Sequence, residues 1–233
     1  MRRIDLIAMD LIFPKRCIFC NDLPQYPNYI CKSCIMDYPL KYKELCPRCK
    51  KPKESCICQD LSSSVYKMLS ACFYEGAAIT FIKKFKEDGS DSLGDNFAEL
   101  LESVLNDFED EDLFPFITYI PMEREKIEKR GHNMAYTLAF KLSQRTGKKL
   151  IHPPIEKIYT ENFQHDLNRK ERFKNAELSF IDKEEQVGGN IILVDDVITT
   201  GATITRAADI LVKNGANKVL ALSIASTEKR ERQ

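Results

Sequence analysis

The stretch IILVDDVITTGATI, Ile191–Ile204, runs four apolar residues straight into two adjacent aspartates, then into a turn rich in Thr and Gly. Ile191–Asp195 reads as a buried strand, and Ile204, Ala208 and Leu211 fall on one face of a helix that ends at Gly215. Between them, Thr199–Thr203 forms the turn. Gly201 lets the backbone take a positive φ and approach a ligand closely. Open α/β sheets bind ligands beyond the carboxyl ends of their strands, which is where Asp195 and Asp196 fall. Backbone N–H groups and the helix dipole make the start of the helix an anion site. The hydroxyls of Thr199, Thr200 and Thr203 add donors. Two carboxylates accept hydrogen bonds from neighbouring hydroxyls such as a ribose 2′/3′ diol, and phosphate plus diol spells ribose 5-phosphate. An acidic pair at a strand end also suits Mg²⁺ or helix capping. Neither accounts for the Thr-Thr-Gly-Ala-Thr that follows.

The surrounding chain alternates strand and helix patterns. Ala78, Ile82 and Phe85 repeat at helical spacing until Lys86–Gly89 breaks the run, and Leu93, Phe97, Leu100, Val104 and Phe108 mark a second helix. Ile117–Pro121 reads as a buried strand, Met122–Asn133 as a charged loop, and Ala135, Leu138, Ala139 and Leu142 as a helix face closed by Gly147. Ile155–Tyr159 and Val219–Ala225 read as strands, with a long charged loop over Asn162–Glu177. The expectation is an α/β fold with a mostly parallel sheet and helices on both faces.

A different segment precedes it. Of nine cysteines, eight lie in the head: Cys17 and Cys20, Cys31 and Cys34, Cys46 and Cys49, Cys56 and Cys58. Paired cysteines at this spacing form the knuckles of zinc ribbons, and eight thiolates suffice for two tetrahedral Zn²⁺ sites. A disulfide framework is the alternative, but no signal peptide argues for an oxidising compartment. Short hairpins favour sequential pairing, Cys17/20/31/34 and Cys46/49/56/58, and interleaved pairing stays open. Cys72, in an apolar stretch, reads as an inert core thiol. The division expected is residues 1–60 for a short amphipathic helix and the zinc head, and 61–233 for the α/β domain.

Lys+Arg and Asp+Glu are both 35, so no global field draws the chain to nucleic acid or anionic membrane. The head carries 11 Lys/Arg against 7 Asp/Glu, an excess that two Zn(Cys)₄ centres of about −2 each would cancel. Its lysine cluster therefore reads first as a solvated surface and second as a phosphate contact. In MRRIDLIAMDLIFP, Asp5 and Asp10 interrupt the apolar run, so a docking helix ended by Pro14 is expected rather than a signal peptide. No stretch approaches the ~20 apolar residues of a spanning helix.

VDDVITTGAT, Val194–Thr203, resembles the motif with which type I phosphoribosyltransferases bind phosphoribosyl pyrophosphate (PRPP). LIFPKRCIFC (Leu11–Cys20), the cysteine knuckles, YEGAAITFIKKFKEDGS (Tyr74–Ser90), YIPMEREKIEKRGHN (Tyr119–Asn133) and FQHDLNRKERFKNAELSF (Phe163–Phe180) are similar, in order, to the ComF/GntX-type proteins, which join such a domain to a double zinc ribbon.

The resemblance implies a PRPP site at Asp195, Asp196, Val197, Thr199, Thr200, Gly201, Ala202 and Thr203, with Mg²⁺ bridging pyrophosphate and ribose. It implies a pyrophosphate loop with Arg124, Lys126, Lys129, Arg130 and Gly131, and Lys86 as a further site residue. A loop that closes over the site would bring Gln164, Arg169, Arg172 and Asn175. It implies a role in DNA uptake and natural transformation, with single-stranded DNA and other uptake proteins such as a helicase as partners, in the cytoplasm at the inner face of the membrane. Phosphoribosyl transfer to an acceptor, a metabolic transferase unrelated to DNA, and a zinc-ribbon adaptor that senses PRPP are the other functional readings. The chain departs from the family in one loop: Arg130-Gly131-His132-Asn133-Met134 stands where Arg-Gly-Phe-Asn-Gln is usual. His132 as a loop-packing residue is expected over His132 as a base.

Overall fold

The computed structural model describes residues 17, 22, 43–46, 64–89, 91–158 and 180–227. Six strands form one sheet. They are β1 (Lys43–Leu45), β2 (Val65–Phe73), β3 (Phe116–Tyr119), β4 (Lys149–Leu150), β7 (Gly189–Ile198) and β8 (Ala216–Ser226), in the spatial order β1-β2-β8-β7-β3-β4. β1 is antiparallel to β2, and every other pairing is parallel. A separate antiparallel pair joins β5 (Ile155–Lys157) to β6 (Phe180–Asp182).

Helices cover both faces, as the alternating pattern implies. α1 (Gly76–Asp88), α2 (Asp91–Asn106) and α4 (Met134–Thr146) place Ile82, Phe85, Phe97, Leu101, Leu138 and Leu142 in one core, against Ile192, Val194, Leu220 and Leu222 of the sheet. α5 (Ala202–Lys213) places Ile204, Ala208 and Leu211 in the other, with Ile191, Leu193, Val219 and Ala221. Successive residues of β7 and β8 thus enter different cores, which is why these strands read as unbroken apolar runs. Among the described residues no helix is long and apolar enough to cross a membrane.

The strand expected to stop at Asp195 runs on to Ile198, with Val197 and Ile198 still paired to Ala225 and Ser226 of β8. The aspartates therefore lie within the last turn of pairing, held by backbone on one side. Besides the short strands β1, β4 and β6, two longer elements appear where none was expected. β2 contains the apolar stretch around Cys72, and α3 (Arg124–Arg130) occupies most of the supposed charged loop. α3 buries none of its residues, so it has no apolar stripe to betray it. Cys72 is buried, its Sγ donates to the Ile224 carbonyl at 3.2 Å, and burial pushes its thiol up to about 12.

Candidate functional site

The site is assembled at the carboxyl ends of β3 and β7. Register pairs Asp195 with Ser223 of β8, and the N–H of Ile120 donates to the Val194 carbonyl at 3.0 Å. The chain leaving β3 is thereby laid beside the aspartate pair. Each aspartate is anchored by the next amide: Asp195 Oδ1 accepts from the Asp196 N–H at 2.9 Å, and Asp196 Oδ1 from the Val197 N–H at 2.8 Å.

Two lysines bear on this pair. Lys86, in the last turn of α1, is ion-paired with Asp196. Lys157, at the end of β5, lies close enough to Asp195 and Asp196 for their charges to act on it. Burial lifts the Asp195 carboxyl well above the usual carboxylate range, and the negative charge of Asp196 adds to the effect. Burial likewise holds Lys157 below the usual lysine range, against the pull of Asp195, Glu123 and Asp196.

The turn after β7 has the expected geometry. Gly201 takes φ 71° and stands at the N-cap of α5, which has no side-chain cap. Thr200 Oγ1 accepts from the Ala202 N–H at 3.4 Å, and the Thr205 N–H donates to the Gly201 carbonyl at 2.8 Å. A helix start without a capping carboxylate leaves amide donors and the positive dipole end for an anion.

Beyond β3, Arg124 is exposed and ion-paired with Glu156 of β5 at 3.0 Å, and Lys126 is held by Glu123 at 2.9 Å. Lys129 and Arg130 are exposed at the end of α3, and Gly131 closes it with φ 82°. His132 is a packing residue. Its ring lies 6.1 Å from that of Phe85, with Nε2 3.1 Å from the Phe85 carbonyl and Nδ1 3.2 Å from the Arg130 carbonyl. Asn133 caps α4 by accepting from the Ala135 and Tyr136 amides, and donates to the Ile120 carbonyl at 3.1 Å. Met134 is buried. The unusual loop thus ties the end of α1 to the start of α4.

Sequence reasoning brought Lys86 and the aspartates together but missed Glu123 and Lys157. Glu123 is 2% exposed, which nothing in a run of alternating charges signals. Gln164, Arg169, Arg172 and Asn175 lie outside the described residues, as do six of the eight head cysteines. The other two, Cys17 and Cys46, are buried, and the Cys17 N–H donates to the Asp22 carbonyl at 2.7 Å.

Residues 8–63 match the family model described as a double zinc ribbon domain. Competence protein ComFC of Streptococcus pneumoniae (strain ATCC BAA-255 / R6) is 29% identical over 200 residues, covering 84% of this chain and 86% of that protein. Competence protein ComFC of Bacillus subtilis (strain 168) is 26% identical over 196 residues, covering 80% and 79%. The chain is thus similar to the ComFC competence proteins over most of its length. Among solved structures, an orotate phosphoribosyltransferase from Aeropyrum pernix is 19% identical with a TM-score of 0.37, covering 68% of each chain. The ComFC likeness spans both the cysteine-rich head and the sheet that carries Asp195 and Asp196.

Proposed function

We propose that this chain binds PRPP at the end of β7 and acts, like the competence proteins it resembles, in the handling of single-stranded DNA during uptake. One observation carries the ligand: adjacent carboxylates beside the start of α5, which has no side-chain cap, with Lys86 ion-paired to Asp196. Asp195 and Asp196 would take the ribose diol. The α5 amides and the Thr199–Thr203 hydroxyls would take the 5-phosphate. Lys86, with Arg124, Lys126 and Arg130 once drawn from their present positions, would face pyrophosphate. Mg²⁺ suits this donor set only as a passenger on the ligand: two carboxylates, one already paired with a lysine, leave most of its coordination to phosphate oxygens and water. The cysteine head would hold about two Zn²⁺ per chain, and metal analysis of the full chain tests that count. Gln164, Arg169, Arg172 and Asn175 would close over the bound ligand.

Phosphoribosyl transfer is the second reading. It is favoured by the aspartate pair, whose charge would oppose the oxocarbenium character gained by the ribose as pyrophosphate departs. Calorimetric titration with Mg-PRPP, with and without single-stranded DNA, separates the readings. Binding to the wild type and not to Asp195→Asn/Asp196→Asn supports the site, and no binding to the wild type sinks it. Release of pyrophosphate identifies turnover. DNA binding that weakens steeply with salt identifies direct contact with the strand.

A further inference from the structure

The segment that leaves β3 is held with little packing. Of residues 121–132 only Glu123 is buried, and α3 within the segment buries none. The ion pair from Arg124 to Glu156 is exposed on the arginine side, so it adds little. A segment with so few buried contacts is at the low end of local stability, and the bonds at its ends decide its shape.

Asn133, the residue that follows, supplies those bonds. It is buried. Its Oδ1 accepts from the Ala135 N–H at 3.0 Å and the Tyr136 N–H at 3.4 Å, and its Nδ2 donates to the Ile120 carbonyl at 3.1 Å. One carboxamide thus joins the residue at the front of the segment to the helix behind it. The Ile120 N–H in turn donates to the Val194 carbonyl at 3.0 Å, one residue before Asp195. Hydrogen bonds therefore run from the start of α4, through Asn133 and Ile120, to the strand of the aspartate pair.

Capping alone does not call for asparagine, since serine and aspartate serve a helix start equally well. The second bond does. A carboxylate cannot donate to a carbonyl, and a serine hydroxyl has a single atom for both tasks.

We propose that Asn133 is a positioning residue: by fixing both ends of the segment that carries Arg124, Lys126 and Arg130, it governs the grip on pyrophosphate and not the grip on ribose 5-phosphate. This rests on the ribose reading. The test measures binding of Mg-PRPP by calorimetry and of ribose 5-phosphate by ligand-observed NMR, on the full-length wild type, Asn133→Ser and Asn133→Asp. Both variants keep an acceptor for the α4 amides and lose the bond to Ile120. The expected result is that each weakens Mg-PRPP about tenfold and leaves ribose 5-phosphate unchanged, as loss of one buried hydrogen bond acting on one part of the ligand would. A general loss of structure would weaken both ligands alike. Equal weakening of the two ligands, or unchanged Mg-PRPP affinity in the serine variant, overturns the proposal; should the aspartate variant fail to fold, the serine variant decides alone. Binding of Mg-PRPP but not ribose 5-phosphate to the wild type also overturns it, since the two grips are then one. A wild type that binds neither ligand sinks the ribose reading itself, and the role of Asn133 with it.

Discussion

The ammonium of Lys86 at the end of α1 is ion-paired with the carboxylate of Asp196 in β7. A helix of one core layer therefore closes onto the strand that carries the candidate diol site. The lysine holds a carboxylate that a ribose hydroxyl would claim, and a bound diol would free it for phosphate. Lys86→Met should weaken Mg-PRPP binding about tenfold or more, since a charge-assisted contact to phosphate is lost. Both groups keep some solvent contact, so the thermal midpoint should move little. Unchanged affinity by calorimetry would remove Lys86 from the site.

Asp195 gives a pH signature. Its carboxyl is raised in the folded chain, by burial first and by Asp196 second. A raised group favours folding in its protonated form, so its contribution is complete below the ordinary carboxylate value of 3.8 and is lost as pH rises through the folded value. At neutral pH a neutral amide should suit this position better. Asp195→Asn is therefore expected to raise the thermal midpoint near neutral pH while abolishing Mg-PRPP binding, the gain shrinking as the pH is lowered. A lower midpoint in the variant at neutral pH contradicts this account.

Gly89 and His132 form a steric pair. Gly89 ends α1 with φ +60°, and a Cβ there would meet His132 Cε1 and Nδ1 at 2.9 Å. Gly89→Ala should cost about 1–3 kcal/mol, from left-handed backbone strain and the displaced ring together. His132→Ala should cost less and remove the steric part. The double variant in urea unfolding should then be less destabilised than the sum of the singles, and strict additivity would show that the ring does not bear on Gly89.

Asp182 gives the opposite pH dependence. It accepts from Lys213 Nζ at 2.7 Å, Asn214 Nδ2 at 2.7 Å and the Glu184 N–H at 2.8 Å, and these bonds, the lysine's foremost, lower its carboxyl to about 2. Its contribution is present above the ordinary value of 3.8 and is lost as pH falls towards 2. Asp182→Asn should therefore lower the thermal midpoint at neutral pH and converge with the wild type in acid. A difference that persists at low pH would assign the effect to packing.

The parts legible in the sequence are those where one physical demand dominates. β7, β8 and α5 show because full burial requires unbroken apolar strands and a single apolar helix face. β2 hides because Lys67 and Ser70 interrupt its pattern; Ser70 is fully buried and satisfied locally, its hydroxyl donating to the Cys72 carbonyl at 3.0 Å. α3 hides for want of a buried face. Within the site, Asp195 and Asp196 announce themselves as charges against an apolar strand. Glu123 is buried within a run of alternating charges, and a charged residue in a charged run carries no mark of that. The role of His132 is of the same kind: its partner carbonyl at Phe85 is 47 residues away.

β1 is the outermost strand of the six-stranded sheet, yet it belongs to the cysteine-rich segment, and Cys46 follows it directly. Leu45 enters the core shared with α5. β1 thus covers the edge of β2 from Met68 to Ser70. Were it released, those residues would present a row of unpaired amides and carbonyls, the template on which chains add to one another. Displacement of this one short strand would then surface first as clumping of the protein, before any question of what it binds arises.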